Sequence, residues 1–271
     1  MNNSTSAKSA EALVRELQYQ QQHATHVQVA PTPAGVLERY RSQRYSRIVH
    51  KDYLYRALGN LEGARILDFG CGDGEVAVQL AALGAQVTGV DISPELIALA
   101  RRRASLDGVS GRAEFRTTDI VRQPPPKNSF DAVTCFAVLH HVDYRRVVPV
   151  LYDSLKPGGR AVIAEPIALS KTMRKIRELL PVSRDVSPDE RQFNTEEVAW
   201  MAGVFQRPEI SYWLLFGRLM RFLPGGHVLE KAPAWSRGAA LSLMAFDRVC
   251  AKVPFLRRYF GVVTIVGRKE D

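Results

Sequence analysis

The chain has 271 residues, of which 46% are hydrophobic and 24% charged, a composition that is ordinary for a soluble globular protein with one sizeable core. No apolar run approaches the roughly 18 residues of a membrane-spanning helix, and the polar start lacks the apolar region of a signal peptide, so we expect a cytoplasmic protein. The three scattered cysteines argue against a disulfide framework and a zinc site, and we expect no bound metal.

The net charge of +9 leaves several classes of partner open. A basic balance suits nucleic acid, an anionic membrane or an acidic substrate, and it also occurs as a plain solvated surface. No signature of an OB, KH or RRM module is visible, which argues against nucleic acid as the partner. The position of the basic residues therefore matters more than their sum.

The first part of the chain has two segments. Residues 1–33 are polar, and Pro31 and Pro33 end the short helical stretch within them, so we expect a mobile N-terminal arm. Residues 34–60 follow a helical pattern that is rich in Tyr and Arg and leads directly to the first strand.

A regular alternation of apolar strands and helices begins after residue 60. Five short strands alternate with helices as far as Pro166, starting with ARILDF, GEVAVQLAALG, AQVTGVD and SPELIALARRRASLDG. The pattern predicts a parallel sheet covered by helices on both faces, with ligands bound at the carboxyl ends of the strands. Ser93 is the expected N-cap of the second helix, with Pro94 at its first position.

The alternation breaks after Pro166. Residues 167–200 predict two helical pieces around an irregular loop, with Asn194 as the cap of the second piece. A sixth strand is expected in PEISYWLLFG and a seventh in GVVTIVGRK, near the end of the chain. We assign residues 61–271 to one domain, which contains an insert over 218–258 between the last two strands.

The 218–258 insert is basic and amphipathic. It carries eight Lys and Arg against Glu230 and Asp247. Apolar residues recur in it at helical spacing: Trp235, Ala239, Leu243, Phe246, Cys250 and Val253. One interpretation is a helix packed on the domain, and the other is an interfacial helix that makes peripheral contact with a membrane or receives a lipid-like acceptor. Prolines and glycines interrupt the segment too often for it to cross a bilayer.

A glycine turn follows the first strand, in ILDFGCGDGEVAVQL. Gly70, Gly72 and Gly74 let the backbone turn tightly and let a ligand approach without meeting a Cβ atom. Asp91 ends the next strand, where an acidic side chain can bind ribose hydroxyls. The order of strand, turn, helix, strand and acid therefore predicts a site for a nucleoside-containing cofactor.

Two classes of cofactor share this layout. A dinucleotide needs the spacing G-x-G-x-x-G, from which G-C-G-D-G departs. Asp68 lies just before the turn and Asp73 within it, and carboxylates repel a pyrophosphate. The same charges suit the ammonium and sulfonium groups of S-adenosylmethionine, so electrostatics favour that methyl donor over NAD.

At these residues the chain resembles the class I S-adenosylmethionine-dependent methyltransferases. ILDFGCGDG is similar to their first motif, VTGVDIS to the segment with the ribose-binding acid, and TTDI to the adenine-binding motif. FDAVTCFAVLHHV resembles their fourth-strand motif, and LKPGGRAVIAEP the turn and strand after it. The resemblance covers residues 66–166 and is closest to small-molecule methyltransferases, including those of quinone and polyketide pathways.

The resemblance implies a fold, a cofactor and a set of binding residues. The fold is a doubly wound, Rossmann-like α/β sheet of seven mostly parallel strands in the order 3-2-1-4-5-7-6, the seventh antiparallel, with a helical lid and the insert. Residues 34–60 and 167–200 are then lid regions of a methyltransferase domain. The residues expected at S-adenosylmethionine are Asp68, Gly70, Cys71, Gly72, Gly74, Asp91, Ile92, Asp119, Ile120, Phe136 and Ala137.

The candidates for catalysis follow from position. His140 and His141 come after the fourth strand, and histidine titrates near neutral pH and can accept a phenolic proton. Glu165 ends the fifth strand at the same edge, where it could act as a base or hold the following loop. Tyr45, in the lid segment, could line the acceptor pocket or merely pack the lid.

Three functions remain open on the sequence. The first is O- or C-methylation of a small or lipid-like acceptor of phenolic, quinone-like or polyketide-like character. The second is methylation of RNA or protein. RNA is disfavoured because no nucleic-acid recognition module is visible, and the lack of an N-P-P-Y-type signature after the fourth strand argues against methylation of DNA adenine or glutamine. The third is a protein that binds the donor for a reaction other than methylation or for a regulatory role, since cofactor motifs report binding alone.

Overall fold

Seven strands form a single sheet in the computed structural model, which describes residues 15, 18, 20–22, 24–167, 169, 192–225 and 229–270. The strand order is β3-β2-β1-β4-β5-β7-β6, and β7 runs antiparallel to both β5 and β6. The predicted order and the antiparallel seventh strand are therefore confirmed. The strands are β1 Arg65–Phe69, β2 Gln86–Asp91, β3 Ala113–Thr117, β4 Phe130–Phe136, β5 Leu155–Pro166, β6 Gln206–Trp213 and β7 Val262–Arg268.

The helices flank this sheet. They are α1 Ala34–Ser42, α2 His50–Ala57, α3 Glu75–Ala82, α4 Pro94–Leu106, α5 Tyr144–Ser154, α6 Thr195–Gly203 and α7 Ala234–Cys250. Ser93 caps α4 by accepting a hydrogen bond from the N–H of Leu96 at 3.2 Å, and Asn194 caps α6 in a reciprocal capping box with Glu197. Short 3-10 helices add Leu139–His141, Gly217–Phe222 and Pro254–Tyr259.

Two apolar cores lie on opposite faces of the sheet. Side chains of α1 to α4, such as Leu54, Leu80 and Ile97, form the first core with Ile66 of β1. Side chains of α5 and α6 form the second core with the other face of β1, β4 and β5. This two-sided covering explains why the strands read as continuous apolar runs.

The predicted helical segment at 34–60 consists of two helices. The first helix ends where Gln43 adopts a left-handed conformation with φ of 50°. Tyr40 of α1 stacks on Tyr55 of α2 with ring centroids 4.1 Å apart, and both rings are buried. The packing makes α1 and α2 part of the sheet's first core, so it does not support a lid role for their buried tyrosines.

The other predicted segments lie only partly within the described residues. Of the N-terminal arm, residues 1–14 are outside them, whereas Thr32 is anchored: its N–H and its hydroxyl each donate to the Asp107 carboxylate at 2.7 Å. Of the 167–200 lid region, residues 168 and 170–191 are outside.

The 218–258 insert contains the predicted helix, now α7, but with a different buried face. Ser236, Ala240, Met244, Asp247 and Cys250 point inward, while Trp235 and Phe246 of the predicted apolar face are exposed. The physical reason is Asp247, whose buried carboxylate accepts the backbone N–H groups of the chain that follows β6: Leu215, Phe216 and Gly217. Satisfying those three donors sets the rotation of the helix against the domain.

Candidate functional site

A cleft of about 430 Å³ lies at the carboxyl ends of β1, β2 and β4. This is the edge at which open α/β sheets bind their ligands. Eight of the residues predicted for the cofactor line it: Gly70, Gly72, Asp91, Ile92, Asp119, Ile120, Phe136 and Ala137. The three others predicted for the cofactor, Asp68, Cys71 and Gly74, lie behind the lining.

The glycine turn lies at the base of the cleft. Gly70, Gly72 and Gly74 all have positive φ, at 68°, 52° and 80°, which only glycine adopts without strain. A Cβ atom at Gly70 would lie 2.3 Å from a methyl carbon of Val138, and one at Gly74 would lie 2.7 Å from the Cβ of Ala100. Gly70 therefore permits the β1 turn to meet the loop after β4, and Gly74 permits α3 to meet α4.

Asp91 connects the turn to the end of β2. Its Oδ2 atom accepts the Gly72 N–H at 3.0 Å, and its Oδ1 atom accepts the Ser93 N–H at 2.9 Å. Each carboxylate oxygen can accept more than one hydrogen bond. Because the Asp91 side chain also lines the cleft, its carboxylate can accept hydrogen bonds from the hydroxyl groups of a ligand there.

Asp68 supports the turn from the interior. The side chain is buried, and its Oδ1 atom accepts the Thr134 hydroxyl at 2.6 Å. Burial is the main cause that raises the pKa of this carboxyl to about 7; the Thr134 hydrogen bond opposes the rise, and the negative charge of Asp91 adds to it. Burial and the same carboxylates hold the pKa of the Cys71 thiol well above its usual value, so this cysteine is a packing residue and not a thiolate nucleophile.

Asp119 and Ile120 form the rim beside β3. The Asp119 Oδ1 atom accepts the Val121 N–H at 2.9 Å, and its Oδ2 atom lies 3.4 Å from Nε of the exposed Arg122. Ile120 is buried against the second core. The pair thus presents an acceptor group and an apolar surface side by side, which suits the edge and the face of a purine ring.

Glu165 holds the loop after β4, not the loop that follows its own strand, and these contacts favour a supporting role over that of a base. The carboxylate is fully buried; Oε1 accepts the N–H groups of Val138 and Leu139 at 2.9 and 2.7 Å, and Oε2 lies 2.7 Å from Nδ1 of His140. Glu165 and His140 are therefore occupied with each other and with the backbone, away from the cleft lining. The loop that they hold also contains Ala137, which has φ of 57°.

His141 is the one of the four catalytic candidates that lines the cleft. Its ring lies 4.0 Å from the ring of His140, centroid to centroid, so the buried neighbour supports it from behind. Tyr45, by contrast, packs with Ile48 against a small cluster around Val49, Leu229 and Met244, and it does not line the cleft. Tyr45 is accordingly a packing residue between the α1–α2 connection and the insert.

Sequence reasoning missed part of the cleft lining. The missed residues are Gln20, Phe69, Leu96, Thr118, Val121, Val138, Val142, Asp143, Arg146 and Val147. Of these, Arg146 is the only Lys or Arg of the cleft within the described part of the chain. Its position near the start of the helix after β4 was the available signal, because that helix begins at the carboxyl edge.

The described residues contain no cluster of three or more His, Cys, Asp or Glu side chains that could hold a metal ion. The cleft instead combines carboxylates at two strand ends with apolar side chains between them. That chemistry fits a ligand with a flat aromatic ring, hydroxyl groups and a positive charge.

Comparisons with known proteins agree with this geometry. A family model described as a methyltransferase domain matches residues 66–159. The ubiquinone biosynthesis O-methyltransferase of Schizosaccharomyces pombe is 39% identical over 122 residues, which are 44% of this chain and 43% of that protein. The chain thus spans less than half the length of the curated relatives that it matches.

Solved structures show the same fold. The [4+2]-cyclase SpnF is 22% identical, with a TM-score of 0.56 over 84% of this chain and 81% of that one. Phosphoethanolamine N-methyltransferase 2 of Haemonchus contortus, in complex with S-adenosyl-L-methionine, is 21% identical, with a TM-score of 0.57 over 81% of this chain and 52% of that one. Residues 66–159 of this chain are thus similar to the methyltransferase domain family, and the seven-stranded sheet has the strand order that the resemblance to class I methyltransferases implies.

Proposed function

We propose that the chain is a cytoplasmic enzyme that transfers the methyl group of S-adenosylmethionine to a hydroxyl group of a small, quinone-like acceptor. The observation that carries the proposal is the hydrogen bond between Asp91 and the N–H of Gly72, which joins the ribose-binding acid to the glycine turn at the edge of one cleft. The methyltransferase domain match and the name of the O-methyltransferase relatives support it further.

The residues of the cleft fit this cofactor. Asp91 would accept the ribose hydroxyls, and Ile92 and Ile120 would cover the adenine, with Asp119 at its amino group. Gly72 would leave room for the methionine part, because a Cβ atom there would enter open space at the cleft. When bound, the sulfonium supplies an electrophilic methyl group.

The chain's own contribution is to orient the acceptor, exclude water and accept a proton. A phenol attacks efficiently once its proton is removed, and His141 lines the cleft at the end of β4. We propose His141 as the general base, with the Glu165–His140 pair as the support that fixes its loop. His140, Glu165 and Tyr45 have no place in the proton transfer.

The acceptor class is proposed from two sources. The relatives carry the name ubiquinone biosynthesis O-methyltransferase, which favours a quinone-like acceptor. The described part of the chain also exposes apolar side chains in the 218–258 insert, which favours peripheral contact with a membrane as the source of such an acceptor.

The test is turnover with donor labelled in its methyl group. We expect label to enter prenylated catechols and hydroquinones in the organic extract, with stoichiometric formation of S-adenosylhomocysteine. Label in RNA or protein would support the macromolecular alternative instead. Donor binding without S-adenosylhomocysteine across the acceptor panel would contradict methyl transfer and favour a different use of the fold, of which a cyclase structure is one instance.

A further inference from the structure

Exposed apolar side chains are concentrated in one stretch of the described chain. Of the ten large hydrophobic side chains that are exposed there, eight fall between residues 216 and 255: Phe216, Leu219, Phe222, Trp235, Phe246, Val249, Val253 and Phe255. Phe222, Trp235 and Phe255 are 77%, 64% and 60% exposed. A water-soluble surface seldom carries so many adjacent aromatic groups without a partner.

The outward face of α7 is apolar along its length. Trp235, Gly238, Ser242, Phe246 and Val249 are exposed at spacings of three and four residues, so they form one stripe that contains no charge. The stripe extends beyond the helix to Val253. The helix thus presents apolar groups to the outside while its one acidic residue, Asp247, is buried on the inner side.

Neighbouring 3-10 helices enlarge the stripe into a surface. The ring of Phe216, just before Gly217–Phe222, lies 5.5 Å from that of Phe246. In Pro254–Tyr259, the ring of Phe255 lies 5.9 Å from that of Tyr259, beneath the guanidinium of Arg258 at 3.8 Å. We call the exposed groups of residues 216–258 the aromatic surface.

The charge around the aromatic surface has one sign. Arg221, Lys231, Lys252 and Arg258 are exposed there. Neither acidic residue of the stretch adds an exposed, unpaired carboxylate, because Asp247 is buried and Glu230 is paired with Arg39 at 2.6 Å. Apolar groups ringed by cations complement the anionic interface of a lipid bilayer.

The position of the surface also suits a membrane. Strand β6 runs parallel to β5 through the antiparallel β7, so the chain leaves β6 at Trp213 on the carboxyl edge of the sheet. That is the edge on which the cleft lies. Among the described residues, no helix is long and apolar enough to cross a membrane.

We infer that the aromatic surface docks the protein on anionic lipid bilayers, with Phe222, Trp235 and Phe255 entering the interface. The docking places the cleft's edge of the sheet on the bilayer side, where a lipid-like acceptor is dissolved. The inferred docking deepens the proposed function. It rests on that function only for the statement that the acceptor comes from the bilayer. The contact with lipid stands independently of methyl transfer.

The experiment is vesicle flotation of the full chain, with phosphatidylcholine alone and with phosphatidylcholine mixed with phosphatidylglycerol. We expect binding to the mixed vesicles that falls with rising salt, and a blue shift of the Trp235 emission on binding. The combined variant Phe222→Ser, Trp235→Ser, Phe255→Ser should lower the partition roughly tenfold or more, because it removes apolar groups from the interface. The matched control is Leu106→Ser, Ile210→Ser, which changes two exposed side chains outside the aromatic surface.

Each result decides between explanations. Unchanged partition of the triple variant, or no binding of the parent to mixed vesicles, overturns the inference. A parent that forms dimers in light scattering, lost in the triple variant and without vesicle binding, also overturns it and assigns the surface to a second copy of the chain. Turnover of a soluble catechol tests the proposed function separately from lipid binding. If the triple variant loses vesicle binding but still methylates the catechol, the aromatic surface serves docking alone. If the parent binds vesicles but methylates no acceptor, the proposed function fails and the docking inference stands.

Discussion

The Asp91 carboxylate joins two tasks in one side chain. It fixes the glycine turn through the Gly72 N–H, and it lines the cleft where ribose hydroxyls would bind. A charged acceptor forms stronger hydrogen bonds to hydroxyl groups than a neutral one. The residue is thus the point at which a change of one group should affect the donor most directly.

We predict that Asp91→Ala weakens binding of S-adenosylmethionine by about 1.5–3 kcal/mol, or roughly 10- to 150-fold, because charge-assisted hydrogen bonds are lost. Isothermal titration measures the effect. Asp131→Ala is the control, since that carboxylate also accepts a backbone N–H, from Arg65 at 2.9 Å, but lies outside the cleft lining. Equal donor affinity in the parent and the folded Asp91→Ala variant would show that the donor binds elsewhere.

His141 is predicted to act on turnover and not on donor binding. His141→Gln should lower kcat by about 10²- to 10⁴-fold, the contribution of a general base, while the donor affinity stays within twofold. Single-turnover rates measured from acidic to alkaline pH provide the check. If the variant keeps the parent's rate and pH profile, the histidine is a packing residue and the acceptor loses its proton in another way.

The raised pKa of the Asp68 carboxyl predicts that the stability of the folded protein depends on pH. Its pKa of about 7 in the folded state exceeds the value of about 3.9 in an unfolded chain. Between these values the folded state binds more protons, so the free energy of unfolding falls as the pH rises from about 4 to about 7 and remains lower above it. Asp68→Asn removes this titration and keeps an acceptor for the Thr134 hydroxyl.

The variant should therefore gain about 3 kcal/mol relative to the parent between pH 5 and pH 8. Urea unfolding at the two pH values measures the difference. If the free energies of unfolding of parent and variant change by the same amount between the two pH values, the Asp68 carboxyl is ionised in the folded protein across this range.

At the scale of elements, the loop after β4 depends on β5. Glu165 of β5 accepts two N–H groups of that loop and approaches His140, so one buried side chain holds the segment that carries His141. Glu165→Leu leaves these donors buried without an acceptor, and we expect a loss of about 2–4 kcal/mol in the free energy of unfolding. Glu165→Gln keeps the Oε1 acceptor and should retain most of the stability.

Denaturant unfolding, together with kcat for both variants, tests this assignment. A positioning role predicts that Glu165→Gln recovers kcat together with stability. A stable Glu165→Gln protein with no turnover would instead restore Glu165 as a catalytic residue.

The same loop shows where sequence reasoning succeeds and where it stops. The turn at Gly70 and the acid at Asp91 are visible in the sequence because each depends on its own strand end. Glu165 and His140 are 25 residues apart, and their contact exists only once β4 and β5 pair. The inner face of α7 was not predicted for a related reason: the helix buries Asp247 to satisfy distant N–H groups, and a helical pattern alone does not reveal that demand.

At the scale of the whole molecule, the insert and the first described residues both reach the sheet's carboxyl edge. The insert before β7 leaves from that edge, and Gln20, from the predicted N-terminal arm, lines the cleft. The arm is anchored between Gln20 and α1, where Thr32 donates to Asp107 and Ala30 accepts from Arg103 at 3.4 Å. These hydrogen bonds fix the chain at residues 30–32, and they do not involve the residues that precede them.

We therefore predict that deletion of residues 1–26 preserves the fold but shortens the residence of the donor. The deletion removes Gln20 from the cleft and leaves the Thr32–Asp107 hydrogen bonds, so Tm should change by no more than about 2 °C while the donor dissociates several-fold faster. Stopped-flow displacement of bound donor measures the rate, and Gln20→Ala separates the side chain from the segment. An unchanged dissociation rate in the folded deletion variant would mean that the arm does not retain the donor, and that closure of the cleft is left to the loop after β4.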